Sequence, residues 1–290
     1  MNRAVTSVFD ALLTPFEWMG DATALVVWSG VFGVLALLVF KRISWQRGIK
    51  NAKDKIKAHM IEIRLYQDDL VVVGSAVSKV LARNCVYLGL NFGPIVPLAF
   101  PFMVLTAQFV VRYAYDPLPL TAADARVMPG RGTMLEIELA PEHAGRVGEL
   151  VVTLPPGLKA VSPLVRVPSE GRAFQEFVAL ASGEHEIAIE IGGARETKLV
   201  VAGDAAKRWM QPRRVSSRDW LALTDTDRWP LLWPAESAFP SDSPLRVVAI
   251  AYPYRDQGWL PDGEGGILLT VALASIVIGA FALKPLGVQI

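Results

Sequence analysis

Cysteine is almost absent from this chain, since one residue, Cys85, occurs among 290. No intramolecular disulfide is therefore possible, and a folded domain must be stabilised by an apolar core. The histidines are His59, His143 and His185, and none has the spacing to Cys or to carboxylates that a metal site requires. Phosphate-cradling glycine loops and nucleophile elbows are also missing. We predict no metal, no cofactor and no enzymatic activity.

Charge is missing from three long stretches, because no Asp, Glu, Lys or Arg occurs in residues 22–40, 84–111 or 265–283. A hydrocarbon core about 30 Å thick is crossed by roughly 20 apolar residues in a helix, and each stretch meets that length. We therefore predict three transmembrane helices, over residues 22–40, 84–112 and 262–284, with membrane lipids as partners.

The charges between these spans predict the orientation of the chain. Residues 41–83 contain ten basic and four acidic residues, a net charge of +6, whereas residues 113–264 contain 16 basic and 21 acidic residues, a net charge of −5. Short basic loops stay in the cytoplasm, while long domains translocate regardless of charge. We expect a multi-pass protein of the inner, cytoplasmic membrane, with the N-terminus and residues 113–261 outside and the tail 285–290 inside.

Apolar residues recur at helical spacing before the first span. This stripe consists of Val5, Val8, Phe9, Leu12, Leu13 and Phe16. Such a pattern predicts an amphipathic helix over residues 1–21 that lies in the outer membrane interface, and the alternative is a mobile tail.

The basic loop, residues 41–83, has two apolar stripes at helical spacing, which predict a cytoplasmic helical hairpin. Its lysines are expected beside anionic lipid headgroups and are Lys50, Lys53, Lys55 and Lys57. A solvated flank that merely enforces orientation remains an alternative. Aromatic residues are not interleaved with these lysines, so we predict no specific nucleic-acid partner.

The second span contains helix-breaking residues, which are Gly93, Pro94, Pro97 and Pro101. Each proline removes a backbone N–H and frees a carbonyl four residues earlier, so we predict a kink or an unwound turn here. Polar residues also occur in this span, and they are Asn84, Asn91 and Gln108. Asn84 and Asn91 are seven residues apart and share a helix face. They either join helices together or line a hydrated cavity.

A specific order of motifs follows the first span. Lys55-Ile56-Lys57 comes near the start of the basic hairpin, Asn91-Phe92-Gly93-Pro94 opens the kink, and Pro97 and Phe100-Pro101-Phe102 follow. With an N-out first helix, this order resembles the core of the YidC-type membrane insertase superfamily, in its minimal three-span form. The resemblance covers Ala22 to Arg112 and the last span, at most half of the chain.

This resemblance implies a cytoplasm-open hydrophilic groove that takes up polar flanks of a nascent membrane segment beside a locally thinned bilayer. The family groove usually contains a basic residue. The first span of this chain offers only Ser29, and Arg83 at the mouth is the nearest basic substitute. The groove candidates are thus Arg83, Asn84, Asn91, Ser29 and Gln108.

From residue 133 onwards the hydrophobic period changes to two, as in Leu135, Ile137 and Leu139, and again in Ile187, Ile189 and Ile191. Such alternation predicts half-buried strands. Further short apolar runs alternate with Pro- and Gly-rich turns, which favours an extracytoplasmic, all-β, immunoglobulin-like sandwich. A Trp- and Pro-rich extension follows, and its Trp and Arg residues either anchor a partner or hold a cover on the sandwich. These residues are Trp209, Trp220, Trp229, Trp233, Arg208, Arg213, Arg214 and Arg218.

Two hypotheses of function follow from these patterns. In the first, an insertase-like core assists membrane insertion or assembly of nascent or client membrane proteins. In the second, the protein is an envelope scaffold whose external sandwich binds a protein partner, while the helices only anchor it.

Overall fold

The computed structural model of the protein describes residues 2–204, 209–220 and 225–288. Arg208, residues 289–290 and the side chain of Val5, which figure in the predictions above, lie outside the described part. The chain forms two compact units. The strand-bearing unit comprises Met1–Leu25 and Met103–Leu269, and the helical unit comprises Val26–Phe102 and Thr270–Ile290.

The helices follow one another in chain order. They are α1 (Asn2–Leu13), α2 (Asp21–Ile43), α3 (Gln46–Leu65), α4 (Leu70–Phe92), α5 (Ile95–Tyr113) and α6 (Gly263–Leu286), and a short 3-10 helix (Thr14–Met19) separates α1 from α2. Within the described residues, three helical stretches are long and apolar enough to cross a membrane: Asp21–Ile43, Leu70–Tyr113 and Gly263–Leu286. This confirms the coarse prediction of three membrane-length helices.

Helices α3 and α4 pack against each other as a hairpin within the helical unit. Ile49 and Ala52 of α3 and Ala76 of α4 are buried, whereas 58% of Met60 on the same α3 stripe is exposed. Asp69 caps α4, because its Oδ1 accepts hydrogen bonds from the N–H groups of Val71 (3.0 Å) and Val72 (3.2 Å). The second helix does not end at residue 83 but continues to Phe92.

Close packing joins α2 and α6 in the helical unit. A Cβ atom at Gly33 would lie 2.6 Å from the backbone oxygen of Ser275, so only glycine allows this approach. The Ser275 hydroxyl donates a hydrogen bond to the backbone oxygen of Ser29 at 2.8 Å. Small residues therefore let the two helix backbones meet.

Two antiparallel sheets make up the β part of the strand-bearing unit. The strands are β1 (Thr133–Leu139), β2 (Val151–Thr153), β3 (Leu158–Ala160), β4 (Val165–Val167), β5 (Arg172–Ala179), β6 (Gly183–Ile191), β7 (Ala194–Ala202), β8 (Arg213–Val215) and β9 (Leu245–Ile250). Among the described residues, one sheet has the order β3-β5-β1-β9-β8, with β4 also paired to β5, and the other has the order β2-β6-β7.

The core of these sheets follows the predicted alternation. Leu135, Ile137 and Leu139 of β1 are buried, and so are the corresponding isoleucines of β6. Trp229 and Trp233 of the extension are also buried, whereas 44% of the Trp220 surface is exposed. The two buried tryptophans pack within the unit, as the cover interpretation of the extension requires.

Side chains protect the outer edge of β7. The N–H of Val201 donates to the Tyr252 hydroxyl at 2.9 Å, and the N–H of Leu199 donates to a carboxylate oxygen of Glu236 at 3.4 Å. The Arg214 guanidinium donates to the carbonyl of Thr197. Pairing of β7 with a foreign strand is thereby discouraged, because these backbone groups already have partners.

Candidate functional site

A groove of about 540 Å³ opens among the helices of the helical unit. Its walls are almost entirely apolar or small side chains, and they include Gly33, Leu37 and Phe40 of α2, Ile95, Leu98 and Phe102 of α5, and Ser275, Gly279 and Leu283 of α6. The groove forms where it does because glycines bring α2 and α6 together while the interrupted second span leaves room beside them. A volume of this size matches that of ordinary ligand pockets.

Asn91, near the end of α4, is one of two polar residues in this lining, and the other is Ser275. The amide nitrogen of Asn91 donates to the backbone oxygen of Tyr87 at 2.8 Å. Its side-chain oxygen, Oδ1, is buried and accepts no hydrogen bond from any described residue. A buried acceptor without a donor costs about 1–3 kcal/mol, so this oxygen favours any occupant that brings a donor.

The break in the second span adjoins this asparagine. Helix α4 ends at Phe92, a turn covers Gly93 and Pro94, and α5 begins at Ile95. Pro97 falls in the first turn of α5, where a missing N–H costs nothing, and Pro101 lies inside α5 without ending it. The helix is thus broken by one turn, at Gly93 and Pro94.

The other predicted groove residues lie elsewhere. Ser29 is fully buried against α6, Arg83 is half-buried and Asn84 is exposed, and none of these three lines the groove. Asn84 and Asn91 lie on one face of α4, but only Asn91 lines the groove, while Asn84 is exposed. Their functional roles stay predictions.

Gln108 belongs to the strand-bearing unit and is fully buried there. Its amide nitrogen donates to the Thr6 hydroxyl at 3.2 Å, and its oxygen accepts from the Arg112 guanidinium at 2.9 Å. The residue joins α1 to α5, which is the helix-joining role that the sequence left open for polar residues of this span.

The predicted lipid-facing lysines lie on α3. Lys50, Lys55 and Lys57 are exposed, while Lys53 is half-buried. The exposure of Lys50, Lys55 and Lys57 is compatible with the expected contact to anionic headgroups.

Sequence reasoning missed the apolar walls of the groove, notably Gly33, Gly279 and Leu98. A signal existed in Gly30 and Gly33, two small residues on one face of the first span, and in Gly279 of the last span. Small residues in spans mark close helix contacts. The wall contributed by Leu98 has no comparable signal, because an apolar residue in a span is expected everywhere.

The strand-bearing unit contains a buried lysine whose ammonium group is fully hydrogen-bonded within the unit. Lys198 is fully buried, and its ammonium donates to the carbonyls of Leu199 (3.2 Å) and Gln211 (2.8 Å) and to Glu236. Burial lowers the pKa of Lys198, and the Glu236 carboxylate opposes that shift. No group of three or more His, Cys, Asp or Glu side chains that could hold a metal ion occurs in the described part of the chain.

The groove with the unpartnered Asn91 oxygen is therefore the candidate site on geometry alone. No family model, no curated protein and no solved structure matches this chain.

Proposed function

We propose that the helical unit is an insertase-like core whose groove receives an apolar client segment bearing a hydrogen-bond donor. The observation that carries this proposal is the unpartnered Oδ1 of Asn91 in a groove of about 540 Å³. In hydrocarbon, a polar client group has no water to bond, so an acceptor at the groove wall lowers the cost of bringing that group into the membrane.

The order of parts supports a relationship to the YidC-type superfamily. The parts occur in the family's order. The first span is α2, the basic hairpin is formed by α3 and α4, the interrupted second span by α4 and α5, and the last span is α6. The groove differs from the hydrophilic one that the resemblance implies, because its lining is apolar apart from one asparagine and one serine. The proposed client is accordingly an apolar segment with an isolated polar residue.

The strand-bearing unit complements this core as an extracytoplasmic, immunoglobulin-like sandwich in our proposal. Support comes from the two antiparallel sheets and from the net charge of +6 in residues 41–83. A short basic loop is retained in the cytoplasm, while a long domain translocates regardless of its charge.

A reconstituted insertion assay tests the proposed function. Purified protein in liposomes is offered two single-span segments, one purely apolar and one with a central serine. Asn91→Leu should reduce insertion of the serine-bearing segment about fivefold, which corresponds to about 1 kcal/mol for one hydrogen bond in a membrane. Insertion of the apolar segment should not change.

Asn84→Leu is the matched control, because it makes the same chemical change on an exposed position of the same helix. It should leave the insertion of both segments unchanged. If Asn91→Leu also has no effect on the serine-bearing segment, the groove does not act on clients, and the role of an envelope scaffold gains support.

A further inference from the structure

Helix α1 has two apolar faces within the strand-bearing unit, and only one of them is covered. Phe9 and Leu13 are buried, and the Phe9 ring meets Phe109 edge to face, with ring centroids 6.3 Å apart. Val8 and Leu12 lie on the other face and are exposed by 56% and 42%. The protein thus leaves an apolar stripe of α1 uncovered.

A buried arginine holds α1 in place. The Arg112 guanidinium donates to the backbone oxygen of Thr6 at 3.0 Å and forms an ion pair with Asp10. Only 4% of the Arg112 side chain is exposed, so these bonds are shielded from water. The exposed stripe is therefore a fixed surface.

In the same unit, polar side chains contact one another at the ends of three membrane-length helices, and we call these contacts the polar layer. The Arg255 guanidinium donates at 2.7 Å to Asp21, the first residue of α2, and at 2.7 Å to Asp116, just after α5. Tyr115 donates to Glu264, which lies in the first turn of α6. Next to this layer, α2 and α6 each contain a charge-free stretch, residues 22–40 and 265–283, so the layer marks where hydrocarbon gives way to polar surroundings.

Exposed aromatic rings lie next to this layer in the chain. Trp18, three residues before α2, is exposed by 83%, and Trp259, four residues before α6, is exposed by 71%. Trp229 and Trp233 of the same unit are buried. Tryptophan favours the headgroup level of a bilayer, where its apolar ring and its polar N–H are both accommodated.

We infer that Val8, Leu12, Trp18 and Trp259 form a lipid-binding rim that lies in the headgroup layer of the membrane crossed by the helices. The occupant is lipid because the rim is continuous with the ends of membrane-length helices, where a bilayer surface must lie. The rim is independent of the groove, so it extends the proposed function without depending on it.

Quenching of tryptophan fluorescence tests the rim. The full protein is placed in bilayers whose acyl chains are brominated close to the glycerol end. Relative to wild type, Trp18→Phe combined with Trp259→Phe should lose part of the bromolipid-dependent quenching. Trp220→Phe is the matched control, because Trp220 is exposed by 44% in the same unit but precedes no membrane-length helix. The absolute fluorescence that bromolipid removes from this variant should equal that removed from wild type.

A spin label provides a second measurement that does not depend on tryptophan. In a Cys85→Ser background, Leu12→Cys should report a depth at the headgroup layer, whereas Val151→Cys, exposed by 52% on β2, should report bulk water. Unchanged quenching in the double variant, or a label at residue 12 in water, overturns the rim. Shielding of residue 12 that depends on protein concentration would instead indicate a second copy and also overturns it.

Discussion

At the residue scale, some buried polar groups have all their hydrogen-bond partners, whereas others lack one. Lys198 in the strand-bearing unit has three acceptors for three N–H bonds, and it therefore serves stability. Asn91 in the groove keeps its oxygen unsatisfied. An unsatisfied buried atom is uncommon in proteins and calls for an explanation, and our proposal assigns this oxygen to the donor of a client segment.

The buried hydroxyl of Tyr252 gives a pH prediction. Burial raises the pKa of Tyr252 above its ordinary value of 10. The stabilising contribution is present below pH 10 and is lost as pH rises further, because the unfolded chain ionises while the folded protein resists. Tyr252→Phe should therefore flatten the decline of unfolding free energy above pH 10. At neutral pH it should cost about 1–3 kcal/mol, since the Val201 N–H loses its acceptor.

Denaturant unfolding in detergent at several pH values measures both effects. Tyr254→Phe is the control, because 62% of Tyr254 is exposed, and it should change the unfolding free energy by less than about 0.5 kcal/mol. An equally steep decline in Tyr252→Phe would show that the alkaline loss of stability comes from other groups.

Sequence position alone selected Asn91, but it could not separate this residue from Ser29, Asn84 and Gln108. All four are polar residues in charge-free stretches. Which of them faces a groove depends on how helices pack, and close glycine contacts decide that packing. A hydropathy pattern contains no information about the neighbour that each face meets.

At the element scale, the start of α4 is set by a capping side chain, and its end is not set by the last basic residue of the hairpin. The predicted change from hairpin to span at residue 83 falls inside α4, because a basic residue marks a membrane surface without ending a helix. Asp69 does end the preceding turn, since its carboxylate caps α4. Strand alternation was the most direct sequence signal, and β1 and β6 were predicted from it.

The contact of α2 with α6 gives a stability prediction. Gly33→Ala should destabilise the helical unit by about 1–3 kcal/mol, because the added methyl meets backbone atoms of Ser275. Gly74→Ala on α4 meets nothing within 4 Å and should stabilise the unit by about 1 kcal/mol through helix propensity.

Thermal unfolding in detergent distinguishes the two glycine variants. Their midpoints should move in opposite directions relative to wild type. A Gly33→Ala protein as stable as the Gly74→Ala protein would show that α2 and α6 do not approach as closely as described, and the groove walls would then need revision.

At the scale of the whole molecule, two regions of opposite charge accompany the two compact units. The hairpin residues 41–83 have a net charge of +6, and residues 113–264 have a net charge of −5. Retention of the first region and export of the second is the arrangement that translocation favours.

Trypsin added to intact spheroplasts tests this orientation. Arg131, exposed in the segment before β1, should be cleaved, and Arg64, exposed near the end of α3, should be spared. Permeabilised spheroplasts should show cleavage at both positions. Early cleavage at Arg64 with protection of Arg131 would reverse the orientation.

The groove as a client site is the central claim, and photo-crosslinking tests it most directly. A photoreactive side chain replaces Leu98 in the groove wall or, as the control, Val96 of the same helix, which is 75% exposed and lies outside the groove lining. A serine-bearing single-span segment is then synthesised in the presence of the protein in liposomes. We expect an adduct between the segment and position 98 and almost none with position 96. Equal adducts at both positions, or none at position 98, would contradict the account.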